Sequence, residues 1–223
     1  MQGKSALNFC GVIFGVLATI VHVIGLSSPY WLESFEAARS RFVRLGLWTA
    51  CFDEFTYDRD QLGMTYDGCG WIYSYDYKPM MGWLVPAWLL TVQVMMTSAL
   101  IVLCLVSLAL LGGQCHMCAS KHDILNQAMK AGAMWISCKT FLVALISASV
   151  TLFGIKYDKD RQWFPRPDQI FLSWSFGLVV VGGFFAVFSA MCLTFDVLRL
   201  SDEAEKKQRK ATELKMYRIE NPK

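Results

Sequence analysis

Residues 86–111 read PAWLLTVQVMMTSALIVLCLVSLALL, a run with no Asp, Glu, Lys, Arg or His. At 1.5 Å per residue, a helix of about 20 residues crosses the hydrocarbon core of a bilayer, so this run is long enough to span. Three further stretches repeat the pattern, at about 7–26, 133–155 and 170–195. Inside lipid every backbone polar group must be satisfied within its own segment, which predicts helices rather than strands. Composition agrees: 55% of the 223 residues are hydrophobic and 17% charged, where soluble domains carry about a quarter charged residues.

The formal net charge of +3 is small and its basic residues form no single stripe. That argues against a nucleic-acid partner. The first stretch has an apolar core longer than the roughly 7–15 residues of a secretory signal, so it reads as a retained anchor. The alternative is a cut near Ser27 or Ser28, which leaves three spans.

Four spans put both termini on one side. Basic residues in the tail (Arg199, Lys206, Lys207, Arg209, Lys210) favour the cytosol for both. The loop 156–169 also carries Lys156, Lys159, Arg161 and Arg166, so the charge rule alone leaves orientation open. Cysteines add to the case. Of eight, Cys51 and Cys69 are the two that fall in the loops this topology places outside, 27–85 and 156–169. Two thiols facing an oxidising compartment are expected to pair. Cys115 and Cys118 form a C-x-x-C at the cytosolic end of the second span. No second ligand pair with zinc spacing follows, so S-palmitoylation is the preferred reading over zinc, with plain thiols as the alternative.

Residues 27–85 are too long for a connector. From Arg41 to Phe52 the sequence alternates, placing Val43, Leu45, Leu47 and Cys51 on one face of a strand. From Cys69 to Tyr77 the alternation predicts a second strand, with Cys69, Trp71, Tyr73, Tyr75 and Tyr77 on one face. Asp67-Gly68 reads as the turn ahead of it. The expected architecture is an all-α four-helix transmembrane bundle carrying a small extracellular antiparallel β-sheet. It occupies 1–196, and a basic cytosolic tail follows at 197–223.

Trp31, Gly46-Leu47-Trp48, Cys51 and Cys69 in that order resemble the W…GLW…C…C pattern of claudins and their relatives. Gly113-Gln114-Cys115 resembles the family's Gly-x-Cys after the second span. Trp163-Phe164-Pro165 is similar to the aromatic-Pro turn of the second claudin loop, and Ser173-Trp174-Ser175-Phe176 resembles invertebrate claudins of septate junctions. The resemblance covers residues 1 to about 196. It implies a non-enzymatic junction protein of the lateral plasma membrane that meets other junction membrane proteins in cis and in trans, with Trp163, Phe164 and Pro165 at the trans contact. Trp31, Gly46, Leu47 and Trp48 would seat the sheet on the bundle. It also implies an alternative, an auxiliary subunit of a channel or receptor.

This sequence departs from the family in places. The 17 residues between Cys51 and Cys69 are a long gap. Gly70 stands where pore-forming claudins often carry a charge. Asn221-Pro222-Lys223 is not the hydrophobic end a PDZ domain captures, so no such scaffold is expected there.

Small residues at GxxxG spacing, Gly11 and Gly15, predict close helix packing, as do Ala144 and Ala148, within the bundle in preference to the alternative of dimerisation. His22 reads as a hydrogen-bonded bundle residue, and Lys139 as a snorkelling lysine. Ser201 is expected to cap a short tail helix with Glu203–Lys207 and Glu205–Arg209 pairs. No cofactor or metal site is expected: the sequence holds no phosphate-binding loop, nucleophile elbow or paired-carboxylate pattern.

Overall fold

The computed structural model describes residues 6–35, 40–57, 63–114, 124–159, 163 and 167–220, with backbone alone at 112–114, 124–140, 167, 215 and 218–220. Among the described residues, four helices are long and apolar enough to cross a membrane: α1 (Ala6–Ser27), α3 (Ala87–Gln114), α4 (Ile124–Lys159) and α5 (Trp174–Glu220). A single turn, α2 (Met81–Leu84), follows a 3-10 segment at Tyr75–Met80. Outward-pointing Phe9, Val94, Leu105, Phe141, Phe184 and Phe195 give the bundle an apolar surface suited to acyl chains.

Helix α1 lies along α5, and small residues make that approach close. A Cβ added at Gly11 would sit 2.5 Å from Leu193 Cγ, and one at Gly15 would sit 3.2 Å from Ser189 Oγ. Hydroxyls then bridge the helices where lipid offers no water. Ser189 Oγ donates to Gly11 O at 2.7 Å, and Thr19 Oγ1 meets Ser107 Oγ at 2.7 Å. Each such bond in a membrane is worth about 0.6 kcal/mol on average. His22 is fully enclosed, with Nε2 3.2 Å from Met96 O. Ala144 and Ala148 behave otherwise: both are exposed, and α4 buries Leu142, Ile146, Ser149 and Phe153 instead. The side chain of Lys139 lies outside the described residues.

One end of the bundle carries a five-stranded antiparallel sheet in the order β4-β3-β2-β1-β5. Its strands are β1 (Leu32–Ser34), β2 (Phe42–Leu45), β3 (Thr49–Thr56), β4 (Thr65–Trp71) and β5 (Ile170–Leu172). Four come from the first loop and β5 from the segment just ahead of α5. The fourth helix therefore begins at Trp174, not at residue 170 as hydropathy predicts. Ile170-Phe171-Leu172 is as apolar as a span, but it pairs with β1 in the register Leu32↔Leu172 and Ser34↔Ile170.

Three other expectations need correction. The alternating run 41–52 is two strands folded back as a hairpin, with the turn at Gly46-Leu47-Trp48, since Leu45 pairs with Ala50 and Arg44 with Cys51. The aromatic run after Cys69 leaves the sheet at Trp71, so Tyr75 and Tyr77 lie on the 3-10 segment. Pro79, which has no N–H to give a ladder, suits that departure. Asp67-Gly68 is no turn: it lies within β4, opposite an irregularity between Phe52 and Phe55, with Gly68 at φ +77° and Glu54 at φ +46°.

Nor does the tail form a separate helix. α5 runs unbroken through Ser201 to Glu220, so Ser201 caps nothing. Glu203 bonds back to Arg199 at 3.3 Å, while Glu205 takes Arg209 at 2.6 Å as expected.

Candidate functional site: the seat of the sheet

The residues joining sheet to bundle form one connected contact. Trp31 follows α1 and enters β1. It is 0% exposed, and its indole N–H donates to Gly25 O at 2.7 Å, which satisfies the polar edge. Its ring meets Phe153 of α4 edge-on at 4.9 Å and Phe176 of α5 at 5.8 Å. One side chain thus touches three of the four spans.

Gly46 is placed by backbone alone. An added Cβ would lie 2.5 Å from Ser28 O and 2.7 Å from Pro29 Cα. Its N–H closes the β2–β3 turn on Thr49 O at 2.7 Å. Leu47, fully buried, points its backbone carbonyl at α3, where Gln93 Nε2 donates to it at 2.5 Å. The other end of the same amide accepts from Tyr73 Oη at 2.5 Å. Gln93 is 1% exposed and holds the β2–β3 turn and the turn that follows β4 to the second span. Trp48 is half-buried, with its ring centroid 6.2 Å from that of Tyr73.

An aromatic path continues from the sheet to the bundle. Phe52 stacks on Phe55 at 5.0 Å, and Phe55 on Trp83 of α2 at 5.6 Å. Trp83 and Trp163 exchange backbone-directed hydrogen bonds of 2.7 Å each. Trp163 then meets Trp88 of α3 at 4.8 Å, and Trp88 meets Phe153 at 5.7 Å. Trp163, expected to face a partner across the intercellular gap, is half-buried and packs against its own chain. Phe164 and Pro165 lie outside the described residues, as do Cys115, Cys118 and the end Asn221-Pro222-Lys223.

Cys51 and Cys69 stand directly opposite in the β3–β4 register and are bonded. The bond closes a short loop, worth about 3 kcal/mol in the chain-entropy account. Next to it, Gly70 lies under Tyr77: an added Cβ would come within 2.8 Å of Tyr77 Oη. Burial, with the Asp76 charge beside it, pushes the Tyr77 phenol above its ordinary value. This tyrosine is therefore neutral at physiological pH.

Sequence reasoning missed three residues that matter here. Gln93 is the one amide side chain in the run 86–111, and a lone amide at membrane depth is the signal that could have found it. Trp83 left no signal beyond its aromaticity. Asp196, at the far end of the bundle, is 4% exposed and accepts from Asn8 Nδ2 at 3.3 Å, with Oδ1 unpartnered. Its position one residue past the expected span hid it. Among the described residues no cluster of His, Cys, Asp or Glu has a metal-binding arrangement.

Four apolar helices under a disulfide-braced sheet define a multi-pass membrane protein whose folded non-membrane domain is built from two loops. The sequence profile of the PMP-22/EMP/MP20/Claudin tight junction family matches residues 16–195, and the chain belongs to that family of structural membrane proteins. No curated protein matches the chain.

Proposed function

We propose that this protein is a structural component of cell–cell junctions of the septate type, contributing to junction assembly and to the paracellular barrier. The observation that carries the reading is the clamp between sheet and bundle. Trp31 joins the sheet to α1, α4 and α5, while Gln93 joins it to α3. A sheet so fixed keeps its orientation to the membrane plane. Copies lying side by side then present a continuous wall rather than a set of flexible loops.

In this reading the sheet is extracellular and both termini are cytosolic. The protein sits in the lateral plasma membrane and meets other junction membrane proteins in cis and in trans. Cys115 and Cys118 carry acyl chains at the cytosolic leaflet. Occlusion, not a charged filter, is the mechanism. Gly70 has no side chain, and Tyr77 fills the space one would need. The resemblance of Ser173-Trp174-Ser175-Phe176 to invertebrate claudins supports the septate assignment.

Depletion in an epithelium tests the reading. Loss of one member of a multivalent assembly lowers the effective concentration of sites for the others. Entry of neutral dextran and displacement of other junction proteins are expected together. An intact dextran barrier with altered channel currents would instead favour an auxiliary subunit.

A further inference from the structure

Arg44 occupies an unusual place on β2. Its register partner on β1 is Glu33, directly across the ladder. Opposite charges so placed normally pair. Here they do not. Glu33 accepts from Ser173 Oγ at 2.7 Å, and Arg44 turns to Tyr30. The guanidinium carbon sits 4.6 Å from the Tyr30 ring centroid, and Nη1 donates to Tyr30 Oη. Arg44 Nε is enclosed without an acceptor. A guanidinium carries five N–H donors, and among the described residues Tyr30 is the acceptor it finds. No carboxylate within ion-pair distance neutralises it among the described residues.

The surroundings place this cation at the bilayer boundary. Tyr30 lies three residues past the end of α1, and its ring packs at 5.3 Å against Trp174, the first residue of α5. Trp174 is 49% exposed. Amphipathic rings at the ends of spans mark the level of the lipid headgroups. The arrangement is therefore a planar cation held on the Tyr30 ring, which packs in turn on Trp174, at the depth of the phospholipid phosphates. Arginine suits a phosphate oxygen because its N–H groups are charged and set in a fixed fork.

We propose that Arg44, Tyr30 and Trp174 form a binding site for the phosphate of a phospholipid in the leaflet that borders the sheet. The guanidinium takes the phosphate oxygens, and the rings of Tyr30 and Trp174 lie along the glycerol region. Glu33, one strand away, opposes binding, and its bond to Ser173 holds its carboxylate off the guanidinium. The lipid would fix β2 and the start of α5 at one depth, bracing the sheet from its membrane side.

The test uses the full chain purified in detergent and a phosphatidylglycerol bearing a photoreactive group near the glycerol. After irradiation, peptide mass mapping locates the label. The expected result is label on the peptides holding Tyr30 and Trp174, falling about tenfold in Arg44→Gln, while label on other parts of the chain stays constant. Arg44→Lys keeps the charge without the fork and should fall between the two. A diacylglycerol with the same photoreactive group should label these peptides about tenfold less than the phospholipid in the wild-type chain, a comparison that holds even if the variants do not fold. Equal labelling by the diacylglycerol, or unchanged labelling in a folded Arg44→Gln, would overturn the site. Loss of label on adding inorganic phosphate would assign the cation to free anions and overturn the lipid reading.

Discussion

Trp83 and Trp163 hold one another by two crossed hydrogen bonds, each indole N–H donating to the other's backbone carbonyl at 2.7 Å. The pair ties the helical turn ahead of α3 to the second loop, 80 residues away in sequence. A buried N–H or carbonyl left without its partner costs about 1–3 kcal/mol. Trp163→Phe keeps a ring against Trp88 and removes one bond, so a loss of about 1 kcal/mol is expected. Trp163→Ala, which also empties the ring site, should lose about 3 kcal/mol or more. Thermal unfolding in detergent would check this, and equal losses for the two variants would show that the ring contributes nothing.

Gly46 and Gly82 make a matched pair. A methyl at Gly46 meets backbone atoms of Ser28 and Pro29, which no rotamer change can relieve, whereas one at Gly82 meets nothing within 4 Å. Gly46→Ala should cost about 2 kcal/mol or more and lower surface delivery. Gly82→Ala lies in helix α2 and should be neutral or stabilising by about 0.5 kcal/mol. Flow-cytometric surface levels of tagged variants would separate them.

Among the signature tryptophans, Trp31 should matter more than Trp48. Trp31 is wholly enclosed with its N–H bonded, and Trp48 is half-buried. Trp31→Ala is expected to cost about 3–5 kcal/mol, enough to unfold a marginal domain. Trp48→Ala removes part of one ring contact and should cost less, while still exceeding Asp58→Ala in its effect on surface delivery. Surface biotinylation of the three variants gives the order directly.

For the disulfide, peptide mapping without reductant should recover Cys51 and Cys69 joined. Cys51→Ser with Cys69→Ser should lower stability by about 3 kcal/mol. Free thiols at both positions in protein taken from the cell surface would contradict the bonded pair.

Orientation is open to a direct measurement. Epitope tags at either end should stay hidden from antibody until cells are permeabilised, while a tag between Cys51 and Cys69 should stain intact cells. Surface staining of a terminal tag would invert the proposed topology.

By itself the sequence determined the bundle, because crossing lipid demands about 20 apolar residues in a row and that demand is met by local composition. It also determined the disulfide, and Gly11 and Gly15 marked α1 for a close approach, but that α5 is the helix it meets, and that Ala144 and Ala148 meet none, was decided by tertiary structure. Where the strands lie was decided by tertiary structure. Ile170-Phe171-Leu172 and the start of a span are equally apolar, and only the free edge of β1 makes a strand of them. The alternation at 41–52 is as good for one strand as for two. The hairpin at Gly46 exists because Ser28 and Pro29 crowd that glycine and Gln93 takes the Leu47 carbonyl. Trp163, Gln93 and Arg44 share the same reason: each acts through a partner far away in the chain, and periodicity carries no record of such partners.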